Sequence, residues 1–161
     1  MEPPSTVRVV IINEFGRRLR LEPLRRAIRA ALQRHGRERC VVNVLLTGDQ
    51  EIRALNEKFR NVDEPTDVLT FPAGDAAGDL LGDIAISVPY GERQAAARGV
   101  SLGQELAYLS IHGALHLVGF DDENEKDRAA MVAEMNVVAV GAGFKPDHEW
   151  HSILHEGASV R

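Results

Sequence analysis

The sequence predicts an α+β domain in which a small mixed β-sheet of about four strands is covered by about five helices. Three observations carry the prediction. Short β-branched runs recur at Val7–Ile12, Val41–Leu46, Val68–Phe71 and Leu80–Ser87. Apolar residues at helical spacing fill the segments beside them. The order is two strands, each followed by a helix, then two more strands, then helices alone.

Each element has its own local cause. After the first strand, Pro23 stands where a helix tolerates proline, in its first turn. Leu24, Ala27, Ile28, Ala31 and Leu32 then form one apolar face, most of the neighbouring arginines fall off it, and Gly36 stops the helix. After the second strand, Asp49 is expected to cap a helix with its carboxylate. On that helix Ile52, Leu55 and Phe59 are expected to face the core, and Arg60 closes it. Asn61–Asp67 is a polar loop. Pro72 stops the third strand, and Ala73–Asp79 is a small polar turn. Gly82 inside the fourth strand predicts a bulge or a close backbone approach. A weaker helix covers Pro89–Arg98 and ends at Gly99. Ser101-x-x-Gln104 is a capping-box signature, and it opens a helix that is apolar on most sides and runs to about Val118. A last helix spans about Asn124–Val140, with Met131, Met135 and Val138 on one face. The domain is expected over 1–144, with a polar tail over 145–161.

Composition narrows the function. The 161 residues are 44% hydrophobic and 27% charged, enough apolar material for a core and too much for a disordered chain. Cys40 stands alone, which excludes an internal disulfide and suits a reducing, cytoplasmic setting. No stretch is long and apolar enough for a membrane span, and the Met-Glu-Pro-Pro-Ser start does not read as a secretory signal. The net charge of −5 hides an asymmetry: 13 basic and 7 acidic residues stand before Asn61, and 6 basic and 17 acidic from there on. Nine arginines fall between Arg17 and Arg39. They are either an ordinary solvated helix face or a phosphate-binding one, with Arg25, Arg26 and Arg29 as candidate phosphate contacts. Aromatic residues are 5% of the chain, too few for a base-stacking platform.

The strongest chemical signal is the run His112-Gly-Ala-Leu-His116-Leu-Val-Gly119-Phe-Asp121-Asp122. Histidines four apart share one helix face and can hold one divalent ion. Gly119 can turn the chain back, so that Asp122, or its competitor Asp121, supplies an oxygen ligand. His148, His151 and His155 are further candidate donors. Zincin-type proteases carry a general-base Glu directly after the first histidine. This chain has Gly113 there, which argues against peptide hydrolysis.

Four motifs stand in order: Asn56-x-x-Phe59-Arg60, Asp63-x-Pro65-Thr66-Asp67-Val68-Leu69-Thr70-Phe71-Pro72, Leu81-Gly82-Asp83-Ile84, and the His112–Asp122 run. On them the chain resembles the YbeY family of metal-dependent endoribonucleases and rRNA maturation factors. The resemblance implies single-strand RNA cleavage in 16S rRNA 3′-end processing and ribosome quality control. It also implies a zinc-like ion held by three histidines, a functional Arg60, and links to the ribosome, ribosomal protein S11 and an Era-like GTPase. Here Asp122 replaces the family's third histidine, so the site carries less positive charge and Mn²⁺ competes better with Zn²⁺. Asp67, Asp83, Thr66 and Thr70 are motif residues that serve either catalysis or a turn. Two other readings fit the residues: a ribosome-assembly binding factor with a structural metal, and a metal-dependent hydrolase of another substrate.

Overall fold

The sheet runs in the order β1-β2-β4-β3, with β1 and β2, and β2 and β4, parallel, and β3 antiparallel to β4. These elements come from a computed structural model that describes residues 6–151. The strands are β1 (Arg8–Asn13), β2 (Val41–Thr47), β3 (Val68–Pro72) and β4 (Leu80–Ser87). The helices are α1 (Glu22–Arg34), α2 (Asp49–Arg60), α3 (Val88–Arg98), α4 (Leu102–Leu117) and α5 (Glu125–Gly141). Four strands and five helices in a mixed sheet match the fold class read from the sequence. No helix among the described residues is long and apolar enough to cross a membrane.

Alternation along the strands separates two cores. On one face Val42, Val44, Leu46, Ile84 and Ile86 pack under α1, α4 and α5. On the other, Ile52 of α2 covers Leu69 and Ala85, with Leu45, Leu55 and Phe71 around them. α4 is buried along nearly its whole length, as its all-round apolar sequence requires.

Two glycines let α4 lie close on the sheet. A Cβ on Gly113 would stand 2.8 Å from Ile84 Cγ2. One on Gly82 would meet the Phe71 carbonyl oxygen at 2.6 Å and Leu117 Cδ2 at 2.7 Å. β4 also carries an irregularity beside Gly82, because Val41 pairs with Leu80 while Val42 pairs with Gly82. Both halves of the expectation for Gly82 are met, bulge and close approach.

Several local readings are corrected. Asp49 does not cap α2; Gly48 occupies the cap position without a side-chain bond. The Asp49 carboxylate instead accepts the Ser87 hydroxyl at 2.7 Å and pairs with Arg93. Phe59 does not face the core; it is 57% exposed and sits edge-on to Phe71, because α2 ends at the border of the sheet. The capping box is half formed. Ser101 accepts the Gln104 N–H at 3.1 Å, while the Gln104 side chain donates to the Lys145 carbonyl.

The segment after α5 is packed as far as Trp150, which is 4% exposed. Arg98 pairs with Asp147, and Asn136 exchanges hydrogen bonds with the Asp147 backbone. A burial reading from polarity alone overlooks this lone tryptophan.

Candidate metal centre

The end of α4 builds the centre. His112 and His116 lie one turn apart, with ring centroids 4.6 Å apart and Nε2 atoms 3.1 Å apart. The helix closes in a Schellman turn: Phe120 N–H bonds the Leu115 carbonyl at 3.0 Å and Gly119 N–H the His116 carbonyl at 3.1 Å. Gly119 takes φ 106°, which a side chain rarely adopts, and the chain folds back over the histidines. Asp122 Oδ2 then stands 3.4 Å from His112 Nε2, and Oδ1 stands 3.6 Å from His116 Nε2.

The loop that carries Asp122 is held on both sides. Asp121 Oδ1 accepts the Asp122 N–H at 2.8 Å, and Arg128 donates to the Asp122 carbonyl at 3.2 Å. Asn124 caps α5 by accepting the Asp127 N–H at 2.8 Å. Asp121 therefore shapes the loop, and it is Asp122 whose carboxylate joins the histidines.

The three donor groups fit a metal ion. Bonds of about 2.0–2.2 Å in a tetrahedral site put ligand atoms roughly 3.3–3.6 Å apart. The two imidazole nitrogens, 3.1 Å apart, stand near that edge, and each Asp122 oxygen lies close to one of them, Oδ2 at 3.4 Å from His112 and Oδ1 at 3.6 Å from His116. Among the described residues, His112, His116 and Asp122 form the group able to hold an ion. His148 and His151 do not join it; the His151 Nδ1 lies 2.9 Å from the Glu149 carbonyl oxygen. His155 lies outside the described residues. Burial would raise the Asp122 carboxyl, but the hydrogen bonds and charge of His112 and His116 outweigh it and hold it well below the usual carboxylate range.

Arg60 approaches from the other face of the sheet. It ends α2 and reaches the free edge of β3, where its Nη2 donates to the Thr70 carbonyl at 3.0 Å. Its Nε is buried and has no hydrogen-bond partner among the described residues. Burial lowers its affinity for the proton, and the negative charge of Asp122 offsets only part of that. Asn56, buried on the same helix, donates to the Glu64 carbonyl at 2.9 Å and so holds the intervening loop.

The remaining motif residues divide by position. Gly82 and Ile84 touch α4, so Asp83 between them faces the opposite side of the sheet, where it accepts from Asn43 at 2.9 Å. Asp67 is fully buried; it accepts from the Val68 N–H, the Thr66 hydroxyl and Gln94. Thr70 shares the α4 face with its partner Ile84.

The arginines of α1 lie elsewhere. Arg26 donates to the Ala142 carbonyl at 2.8 Å and covers the Phe144 ring, and Arg34 pairs with Glu134. α1 and α5 are therefore antiparallel, and Arg26 stands at the end of α5 farthest from Asp122, about 25 Å of helix away. Arg29 bonds the Val7 carbonyl, Arg25 lies near Glu22, and a cleft of about 320 Å³ opens between Arg26, Arg29, Gln33 and Gly141.

Sequence reasoning missed Trp150, whose indole centroid is 5.1 Å from that of His112. The available signal was that a single tryptophan in a polar segment is usually well buried.

Known proteins resemble this chain in sequence and fold. The sequence profile of the family described as Endoribonuclease YbeY matches residues 13–140. Endoribonuclease YbeY of Moorella thermoacetica is 42% identical over 137 residues, 78% of this chain and 88% of that one. The same-named protein of Desulforamulus reducens is 46% identical over 98 residues, and the match spans 56% of this chain and 64% of that protein. The solution structure of TM1509 from Thermotoga maritima superposes with a TM-score of 0.58 at 30% identity, covering 83% of this chain and 86% of the other. With the profile running from the end of β1 into α5 and the His112–Asp122 run inside it, the chain belongs to the YbeY family of endoribonucleases.

Proposed function

We propose that the protein cleaves single-stranded RNA at a metal centre held by His112, His116 and Asp122, in 16S rRNA 3′-end maturation and ribosome quality control. One observation supports this most: His112, His116 and Asp122 each bring one ligand atom into a single cluster at the end of α4, with the two imidazole nitrogens 3.1 Å apart. The ion is Zn²⁺ by donor set, and Asp122 lets harder ions such as Mn²⁺ compete. When bound, such an ion supplies Lewis acidity to a phosphoryl oxygen or an attacking water.

The other roles belong to the chain itself. Arg60 keeps its charge at working pH and offers a planar fork of donors to a phosphate. Arg25, Arg26 and Arg29 bind the RNA backbone several nucleotides from the scissile bond, with a salt-dependent affinity. The cytoplasm, the ribosome with its protein S11, and an Era-like GTPase are the setting the family resemblance implies.

A second reading has one observation in its favour. Gly113 supplies no carboxylate beside His112, Asp83 faces away, and Asp67 is engaged with Gln94. A ribosome-binding factor with a structural metal needs no general base. The test is incubation with a single-stranded RNA beside His112→Ala and chelator-treated samples. Cleavage by the untreated protein alone is expected. Cleavage in all lanes indicates a contaminating nuclease. No cleavage, with ribosome co-sedimentation that survives metal stripping, favours the binding factor.

A further inference from the structure

The last described turn of the chain reaches the metal ligands from a side none of the motifs covers. Trp150 Nε1 donates to Glu105 Oε1 at 3.0 Å, and the indole plane is tilted 39° to the His112 ring at a centroid distance of 5.1 Å. Glu105 and His112 are seven residues apart on α4, two turns along one stripe, so one helix face holds both the anchor of the indole and the imidazole it touches.

The segment delivering Trp150 is gripped by three helices. Arg98 of α3 bridges Glu105 and Asp147. Asn136 of α5 accepts the Asp147 N–H at 2.7 Å. Tyr108 and Gln104 of α4 donate to the Lys145 carbonyl at 2.8 and 2.7 Å. An indole only 4% exposed cannot stack on an incoming base, and its N–H is already used inside the protein. Its face is applied to His112. The ring torsion of histidine is broad and roughly two-fold, so a packed neighbour is needed to select the orientation that turns Nε2 toward His116 and Asp122.

We infer that Trp150 is a positioning residue for the metal centre. It fixes the rotation of the His112 imidazole and shuts out water on that side, and the Glu105–Arg98–Asp147 latch holds it there. The inference rests on the metal reading above. Partners that orient a metal ligand typically change metal affinity 10–100-fold.

The test is zinc binding by the full chain, measured by competition with a chromophoric chelator. Wild type is compared with Trp150→Ala, Trp150→Phe and Leu24→Ala, the last a core truncation in α1. Trp150→Ala is expected to weaken zinc binding about tenfold or more. Trp150→Phe keeps a ring against His112 and should lose less. Leu24→Ala should melt earlier yet bind zinc like wild type. Trp150 is the only tryptophan, so Co²⁺ added to wild type should quench its emission directly. Zinc affinity of Trp150→Ala within twofold of wild type overturns the inference, as does an equal loss in Leu24→Ala. Wild type that binds neither Zn²⁺ nor Co²⁺ overturns the metal reading itself, an outcome distinct from both.

Discussion

Gly113 rests on Ile84 so closely that a Cβ would stand 2.8 Å from Ile84 Cγ2. The contact settles the chemistry of the position after His112: the glutamate of a zincin-type protease has no room there. Gly113→Ala is expected to cost about 1–3 kcal/mol through overpacking, seen as a lowered Tm. The same change should cost less in an Ile84→Ala background. A double-mutant cycle showing no coupling would contradict the packing argument.

Asp122 closes the donor triangle, so Asp122→Ala should weaken zinc binding by more than the roughly 10–100-fold typical of an outer partner. Asp122→His restores the histidine that the family motif places here. It should bind Zn²⁺ at least as tightly as wild type and lose relative preference for Mn²⁺. Calorimetry with both ions reads the two effects; unchanged affinity in Asp122→Ala removes this residue from the ligand set.

Glu105 gives a pH signature away from the ligands. Burial pushes its carboxyl up to about 6, against the opposing pull of Arg98. A folded-state value above the unfolded one means the contribution is full below about pH 4.5 and is lost as pH rises through about 6. The swing is about 2 kcal/mol. Denaturant melts of wild type between pH 4.5 and 7 should carry this slope, and Glu105→Gln should flatten it.

Arg60→Lys keeps a charge and loses the fork. Cleavage of single-stranded RNA should fall roughly 10²–10³-fold in kcat with a smaller change in KM, as for loss of a group that meets developing charge. Arg26→Ala should instead weaken RNA binding and reduce its salt slope, with kcat kept. An Arg60→Lys enzyme with full kcat would place Arg60 outside the chemistry.

What the sequence discloses is what local rules govern. The i, i+4 histidines and the glycine turn are local geometry, so their meeting with Asp122 was legible from spacing. The strands and α1 follow from period and punctuation. Phe59 misled because helical spacing marks an apolar face without saying whether the sheet extends beneath it. Asp49 misled because its partner, Ser87, is 38 residues away and competes with the cap. The arginines of α1 were visible as charge, but that they lie along α5 is a tertiary fact. Trp150 was hidden for the same reason: its burial depends on Arg98 and Glu105, far back in the chain.

β3 forms one open edge of the sheet. It is five residues long and ends in Pro72, which offers no N–H. Its Thr70 carbonyl is occupied by Arg60. An open strand edge is a template for pairing with another chain. Arg60 therefore takes up one of the acceptors that a second strand would need along this border. Truncating it to alanine should produce two separable phenotypes, lost turnover and concentration-dependent oligomers, and light scattering run beside the nuclease assay distinguishes an inactive monomer from an aggregated one.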